Sequence, residues 1–382
     1  MFSSKQRLPH LLPPDTYYSP EQYQLERTLL INTAWHAIGT TDELSQHGDF
    51  ITRDLLGHSI QVRNFNGELR ALSNICAHRH CLLTSKRCGN TPQMRCQYHG
   101  WEYNGEGQVN DIPQSENFEP LPKSPETIPV YRVACCGQVV FVCLSDDAED
   151  LKSYLGDYYT TIEERFGSQT KPFLRFEWDY AANWKVAIEN SLESYHIPSV
   201  HRFTFREDPG EEHSSHILEP KYTSFSSALP FSPSSKVDSM FQRTENAMMR
   251  YLGVSTTNDY SQHHLFPNLL LSFTDAISLV HCVIPTGPNT AKAIIHQFGT
   301  IGTSKKGPRY WSALAWGKLK AAITRKIMAE DMQLIPDIQA GLEKSRLTGV
   351  LGRNEERLHA FQSFIIDRTS TQPTSQATNS DQ

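Results

Sequence analysis

Four residues constrain this chain more than any others: Cys76, His78, Cys96 and His99. They fall in Cys76-Ala77-His78 and in Cys96-Gln97-Tyr98-His99-Gly100-Trp101, so a shared site is split over two loops. Two thiolates and two imidazoles at this spacing need a metal that accepts both soft sulfur and ring nitrogen. Tetrahedral zinc takes all four on one ion. A [2Fe–2S] centre takes two Cys on one iron and two His on the other. Ligand identity alone does not separate the two.

The flanking residues favour the cluster. Gly100 follows His99 directly, which permits close backbone approach with N–H groups free for cluster sulfides. Cys76-Ala77-His78-Arg79 and Cys96-Gln97-Tyr98-His99-Gly100-Trp101 resemble the binding loops of Rieske domains, specifically those of non-haem iron oxygenases, the ring-hydroxylating dioxygenase α subunits. The resemblance runs from about Leu12 to Asp367. It implies that Cys76, His78, Cys96 and His99 hold a Rieske [2Fe–2S] cluster. Cys81 makes the first loop Cys-x-His-x-x-Cys, as in respiratory Rieske proteins, but Tyr98 stands where those have a second cysteine. Cys81 is therefore expected to be a packed thiol.

A second signature covers Asn183-Trp184-Lys185 and Asn190 to His201. Ile188, Leu192 and Tyr195 recur at helical spacing as an apolar face, while Asn190, Glu193 and His196 step by three on another. A polar stripe inside a domain core is unusual unless it meets a metal or another subunit. His196 and His201 are five apart, about 140° around a regular helix. Pro198 lies between them and predicts a break that swings His201 back toward His196. Two neutral His and one carboxylate form the facial triad of non-haem Fe(II), with positions open for dioxygen and substrate. The segment resembles the Asn-x-x-(Asp/Glu)-x-Tyr-His-x4-His motif of the same family. That resemblance makes His196 and His201 iron ligands. It makes Asp331, in Glu330-Asp331, the third ligand, with Glu330 as the alternative. Asn190 and Glu193 are the candidate catalytic residues. Glu193 occupies the place of the acid that bridges, across subunits, a Rieske histidine (His78 or His99 here) and an iron-bound histidine. Most of the family has Asp there, and members with Glu include several that oxidise quaternary ammonium compounds.

The chain has 382 residues, enough for two cores. Residues 1–32 are expected as a lead-in helix, with Asp15 or Ser19 as its cap and Tyr23, Leu29 and Leu30 buried. Residues 33–145 are expected as an all-β Rieske domain. Asn66-Gly67 predicts a hairpin turn, and Val139 to Val142 a doubly buried closing strand. Residues 146–367 are expected as an α+β helix-grip catalytic domain with an antiparallel sheet, and 368–382 as a disordered Ser/Thr/Gln/Asn-rich tail. Within the second domain, helices are expected over roughly Ala182–Ser199 and Arg309–Leu347. The whole is an α+β fold.

Net charge is −6 and no basic run stands out, so no nucleic-acid partner is expected. No apolar run approaches the roughly 20 residues that span a bilayer, and Met1 to His10 lacks a signal-peptide core, so a cytoplasmic location and no membrane partner are expected. The eight cysteines then read as metal ligands and buried thiols in a reducing compartment. Gly105-Glu106-Gly107 lacks the third glycine of a dinucleotide-binding loop and reads as a turn. NAD(P)H is thus assigned to a separate reductase, with or without a ferredoxin. The resemblance implies a homotrimer that uses O2 to hydroxylate, dihydroxylate or dealkylate a small organic substrate, an aromatic compound first and a quaternary ammonium compound as the alternative. A Rieske electron carrier is the non-enzyme alternative. Leu265, Phe266, Leu269 to Leu271, Phe273, Phe203 and Phe205 are the expected pocket walls, and His263-His264 an exposed or pocket-edge pair.

Overall fold

A computed structural model describes residues 2–119, 127–201, 204, 207–232 and 234–370. Two seven-stranded antiparallel sheets organise them. The first runs, in spatial order, His36–Thr40, Val139–Cys143, Val130–Cys136, Glu68–Ser73, His58–Phe65, Asp49–Leu55 and Cys88–Asn90. The Asn66-Gly67 turn joins two of these strands with Phe65 opposite Glu68, and both turn residues have positive φ, as a tight two-residue hairpin requires. Val139–Cys143 is buried along its whole length. A small sheet of Met94–Arg95, Glu102–Tyr103 and Val109–Asp111 carries the second Cys/His loop.

The second sheet runs Thr170–Tyr180, Thr290–Thr300, Ile277–Gly287, Leu269–Phe273, Asp259–Leu265, Tyr222–Ala228 and Ser214–Leu218. Helix Gly307–Met332 packs on its first two strands. Close approach is possible because Gly317 lies against Gly299 and the Phe173 ring, which a Cβ at Gly317 would strike at 2.4 Å. That approach delivers Glu330 and Asp331, in the last turn of the helix, to the face of the sheet. The stretch expected as one helix to Leu347 is broken: Gly307–Met332 stops, and Ile335–Leu342 restarts with Pro336 in its first turn, where a missing N–H costs nothing.

The lead-in forms a helix at Pro20–Glu26, and the Ser19 hydroxyl accepts from Gln22 N at 3.1 Å. Tyr23 and Leu30 are buried, whereas Leu29 is exposed, because a wider helical turn over Arg27–Ile31 rotates it outward. A buried polar seam fixes this segment. Lys185 Nζ donates to both Glu26 oxygens at 2.7 and 2.8 Å, Trp184 Nε1 donates to Glu26, and Tyr17 donates to Glu189 at 2.7 Å. One continuous apolar core joins both sheets, through residues such as Trp35, Phe141, Trp184, Val283 and Ile295, with Phe361 from the last helix, Glu356–Ser370. Of the tail expected to begin at Arg368, residues 368–370 complete that helix and 371–382 lie outside the described residues. No helix among the described residues is long and apolar enough to cross a membrane.

Candidate metal centres and substrate cavity

The two Cys/His segments fold into equivalent loops. Cys76 N donates to Cys81 O at 2.8 Å and His80 N to Cys76 O at 3.0 Å; Cys96 N donates to Trp101 O at 2.8 Å and Gly100 N to Cys96 O at 3.1 Å. Each turn therefore closes on its cysteine through a fifth residue with positive φ, His80 at +57° and Gly100 at +78°. Gly100 takes that conformation without the steric cost that His80 bears, and its N–H closes the loop rather than staying free for a sulfide. Cys76 and Cys96 are buried, while His99 is exposed. Tyr103 hydrogen-bonds the Cys76 thiol at 3.1 Å and accepts from Ala77 N at 3.0 Å. Trp101 stacks flat on His78 at 4.9 Å, and the His78 and His99 rings lie 4.7 Å apart.

Burial, with His99 and Arg79 nearby, holds His78 below the ordinary imidazole range, so the ring is neutral. Its buried Nδ1 has no hydrogen-bond partner. A lone desolvated acceptor of this kind costs about 1–3 kcal/mol, which a metal bond would remove. Two buried thiols beneath two paired imidazoles fit a cluster with Cys on the inner iron and His on the outer. Cys81 Sγ donates to Leu82 O at 3.3 Å.

The second group is built on a broken helix. Asn183 caps Trp184–Ser191 through Lys185 N at 3.0 Å, and the helix ends at Leu192. The chain restarts as Ile197–Val200 with Pro198 in its first turn. The break thus precedes the proline instead of following from it: Pro198 opens a one-turn helix, the position it tolerates best. His196 and His201 are the two residues that flank this single turn, which brings their rings to 5.3 Å.

Asp331 meets both rings, at 3.4 Å from His196 Nε2 and 3.0 Å from His201 Nε2. The three side chains can each offer one ligand atom to a common ion. The other nitrogens are also held. Glu193 pairs with His196 Nδ1 and accepts from His196 N at 3.1 Å, and Glu330 meets His201 Nδ1 at 2.9 Å while accepting from Thr204 Oγ1 at 2.8 Å. Both Nε2 atoms therefore face one carboxylate, and both Nδ1 atoms are oriented by others, the arrangement expected around a metal. Burial opposes charge on His196, but Asp331 and Glu193 overcome it and raise the ring to about 10. Burial would raise Asp331, yet the two imidazoles bring it down to about 2. An acid in the last turn sits at the negative end of the helix dipole, so Asp331 is placed against its local preference and compensated only by cationic rings or a cation.

A cavity of about 180 Å³ opens beside this group. Asn190 and Glu193 line it, with Tyr180, Phe225, Phe231 and Tyr260 as its aromatic walls. Of the expected walls among the described residues, only Leu270 takes part. Strand alternation decides this: Leu270 and Ser272 face the cavity, so Leu269, Leu271 and Phe273 point into the core. Leu265 and Phe266 line a different cavity, and Phe203 and Phe205 lie outside the described residues. His264 is neither exposed nor at the pocket edge; it is buried and hydrogen-bonds Pro267 O at 2.8 Å, while His263 pairs with Tyr158 OH at 2.8 Å. Gln262, His281 and Arg357 line the cavity without having been expected there. No motif marks them, because they come from separate strands and the last helix.

The family model described as the Rieske [2Fe–2S] domain matches residues 34–132, and that described as the ring hydroxylating alpha subunit catalytic domain matches 166–371. The chain is 30% identical over 195 residues to the anthranilate 1,2-dioxygenase large subunit of Acinetobacter baylyi, covering 49% of this chain but 41% of that subunit. It is 24% identical to the chloroplastic choline monooxygenase of Amaranthus tricolor, over 87% of this chain and 71% of that protein. Its fold superimposes on a crystal structure of the quaternary ammonium Rieske monooxygenase CntA with a TM-score of 0.75 at 19% identity, covering 94% and 95% of the two chains.

Proposed function

The chain belongs to the ring-hydroxylating α-subunit family of Rieske oxygenases, and from that premise we propose that it is the terminal oxygenase of a multicomponent system acting on a small organic substrate. The observation that carries this reading is the convergence of His196, His201 and Asp331 beside a cavity. Cys76, His78, Cys96 and His99 would hold the [2Fe–2S] cluster, and His196, His201 and Asp331 the mononuclear Fe(II). When bound, the cluster supplies one-electron transfer and the ferrous ion supplies the site at which O2 is activated.

The protein's own groups set the conditions for that chemistry. His196, His201 and Asp331 themselves line the cavity, so a substrate bound there would lie beside the group that they would hold. Glu193 and Glu330 fix the imidazole tautomers, with the proton on each Nδ1. Asn190 lines the cavity and its side-chain amide has no hydrogen-bond partner among the described residues, so it is available to substrate or water. Electrons come from NAD(P)H through a separate reductase, with or without a ferredoxin. Exposed His99 and Tyr98 on one module and exposed Tyr195, two residues after Glu193, on the other suit contact between neighbouring copies. A head-to-tail homotrimer would bring His78 or His99 of one subunit to Glu193 of the next.

The aromatic walls suit a flat ring, and an aromatic compound is the first substrate reading. The same faces offer cation–π contact. Glu193 and the similarity to choline monooxygenase favour a quaternary ammonium compound as the second.

The test is anaerobic preparation, iron and acid-labile sulfide analysis, then O2 uptake coupled to product mass with a surrogate reductase. Iron with sulfide, and oxidised product, are expected; no acid-labile sulfide, or zinc alone, rejects the reading. Glu193→Gln, loaded with excess Fe(II) because Glu193 also orients His196, is expected to hold both metals and lose most substrate oxidation. Full activity in that variant removes Glu193 from the path between subunits.

A further inference from the structure

Arg357 lies in the first turn of the last helix, is fully buried, and lines the cavity that holds the His196/His201/Asp331 group. A buried guanidinium is ordinarily paired with an acid, because desolvating an unpaired charge is costly. This one is not. Its Nε donates to Thr223 Oγ1 at 3.3 Å and its Nη1 to Gln262 Oε1 at 2.9 Å, both neutral, and its Nη2 has no partner. The adjacent acid, Glu356, is engaged elsewhere, by Ser3 N, Ser4 N and His216. Tyr158 and Tyr260 are the acidic groups that most favour its charge, and both are phenols neutral at pH 7. Burial draws Arg357 down to about 10, still far above neutrality, so the cation persists. His216, on the same wall, is held down to about 4 by burial and by Arg357, and so adds neither charge nor competition at pH 7.

Apart from the mutually paired ionic group of Glu193, His196, His201 and Asp331, the walls are neutral, so the cavity holds one cation without an acidic partner, and one of its donors is unsatisfied. From this we infer that the substrate is an organic carboxylate whose acid group binds Arg357 while its apolar body lies against Phe225, Phe231 and Tyr260, toward the metal group. At about 180 Å³ the cavity is below the roughly 300–1,000 Å³ of common ligand pockets, which limits the substrate to a one-ring or short-chain acid. Arg357 is then a specificity-determining residue. This deepens the oxygenase reading and rests on it for the reaction, but the recognition of a carboxylate does not depend on any metal. It also sorts the two substrate classes: aromatic acids and betaines carry the required group, whereas neutral arenes and choline do not.

The experiment uses two matched pairs on the anaerobic holoenzyme, benzoate against benzamide and glycine betaine against choline, with calorimetric binding and then coupled O2 uptake. The acid of at least one pair is expected to bind on the order of 10- to 100-fold more tightly, the worth of a hydrogen bond to a charged group. Arg357→Gln, checked for cluster absorbance and iron content, is expected to abolish that preference. Neutral members binding as tightly as the acids in both pairs overturns the inference, as does absence of acid binding at millimolar concentration. A metal-replete Arg357→Gln variant that keeps the preference also overturns it. Should the wild type bind acids preferentially yet contain no sulfide or iron, the oxygenase reading fails and the carboxylate site stands. Should neutral members be oxidised as well as acids, the reverse holds.

Discussion

Glu330 and Asp331 are adjacent in sequence and take different tasks. Asp331 meets the two Nε2 atoms, and Glu330 meets His201 Nδ1 and Thr204. Consecutive residues on a helix point about 100° apart, so one reaches the shared centre and its neighbour reaches behind a ring. Glu330→Gln keeps the shape and removes the charge that orients His201. Fe(II) affinity is expected to fall about 10- to 100-fold, with the cluster's visible spectrum unchanged; an Fe(II) titration followed by competition with a chelator reads this. In the metal-free protein His196, raised to about 10, is a cation at pH 7. Fe(II) must displace that proton, so binding tightens as pH rises from 7 toward 10. Calorimetry in two buffers of different ionisation enthalpy is expected to give a release of about one proton or more per iron at pH 7, and none would show that the ring is already neutral.

At the scale of elements, the ligand loops were legible and the cavity was not. Metal ligation fixes both residue type and spacing, so Cys76 to His99 and His196 to His201 stand out in the chain. The loop closure is equally local, which is why Gly100 could be singled out even though its role is its φ of +78°. A Cβ at Gly100 would come within 2.8 Å of the Arg95 guanidinium, in a conformation that L residues avoid. Gly100→Ala is expected to cost about 1–2 kcal/mol in the loop and to lower acid-labile sulfide per chain. His80→Gly, at the equivalent position of the other loop, removes strain and is expected to leave sulfide unchanged. Equal loss in both variants would mean that backbone strain at these two positions is not what decides cluster retention. The cavity walls depend on parity, since shifting a strand by one residue exchanges its faces, and nothing local in Leu269-Leu270-Leu271 says which leucine faces inward. Arg357 follows Glu355-Glu356 and reads as the charged, solvated start of a helix; only the packing of that helix across the second sheet buries it. The helix break before Pro198 was visible as a proline but misplaced, because proline starts helices as readily as it interrupts them.

At the scale of the molecule, both sheets share one core, and buried neutral histidines are distributed through it. Burial pushes His36 and His281 down to about 4, and His264 and His296 down to about 3. His36, in the first sheet, meets Asn268 of the second at 3.2 Å, so the junction itself contains one of these groups. In the unfolded chain each titrates near 6.5. The unfolded state therefore binds more protons than the folded state once pH falls below 6.5, and stability declines from there until the folded values near 4 and 3 are reached. A tenfold difference in proton affinity between the two states is worth about 1.4 kcal/mol, so four such groups supply a loss of several kcal/mol, a large share of the ~5–15 kcal/mol that holds a typical fold. The thermal midpoint of the anaerobically loaded protein is expected to fall gently between pH 7.5 and 6.5 and to drop steeply between pH 6 and 4.5, above the range where most carboxylates protonate. Because the core is continuous across the junction, the first sheet and the second are expected to melt in one transition, reported together by cluster absorbance and by far-UV circular dichroism. A cluster signal lost at a clearly lower temperature than the secondary structure would show instead that the cluster loops, whose smaller apolar group is built around Leu72, Met94 and Trp101, open independently of the shared core.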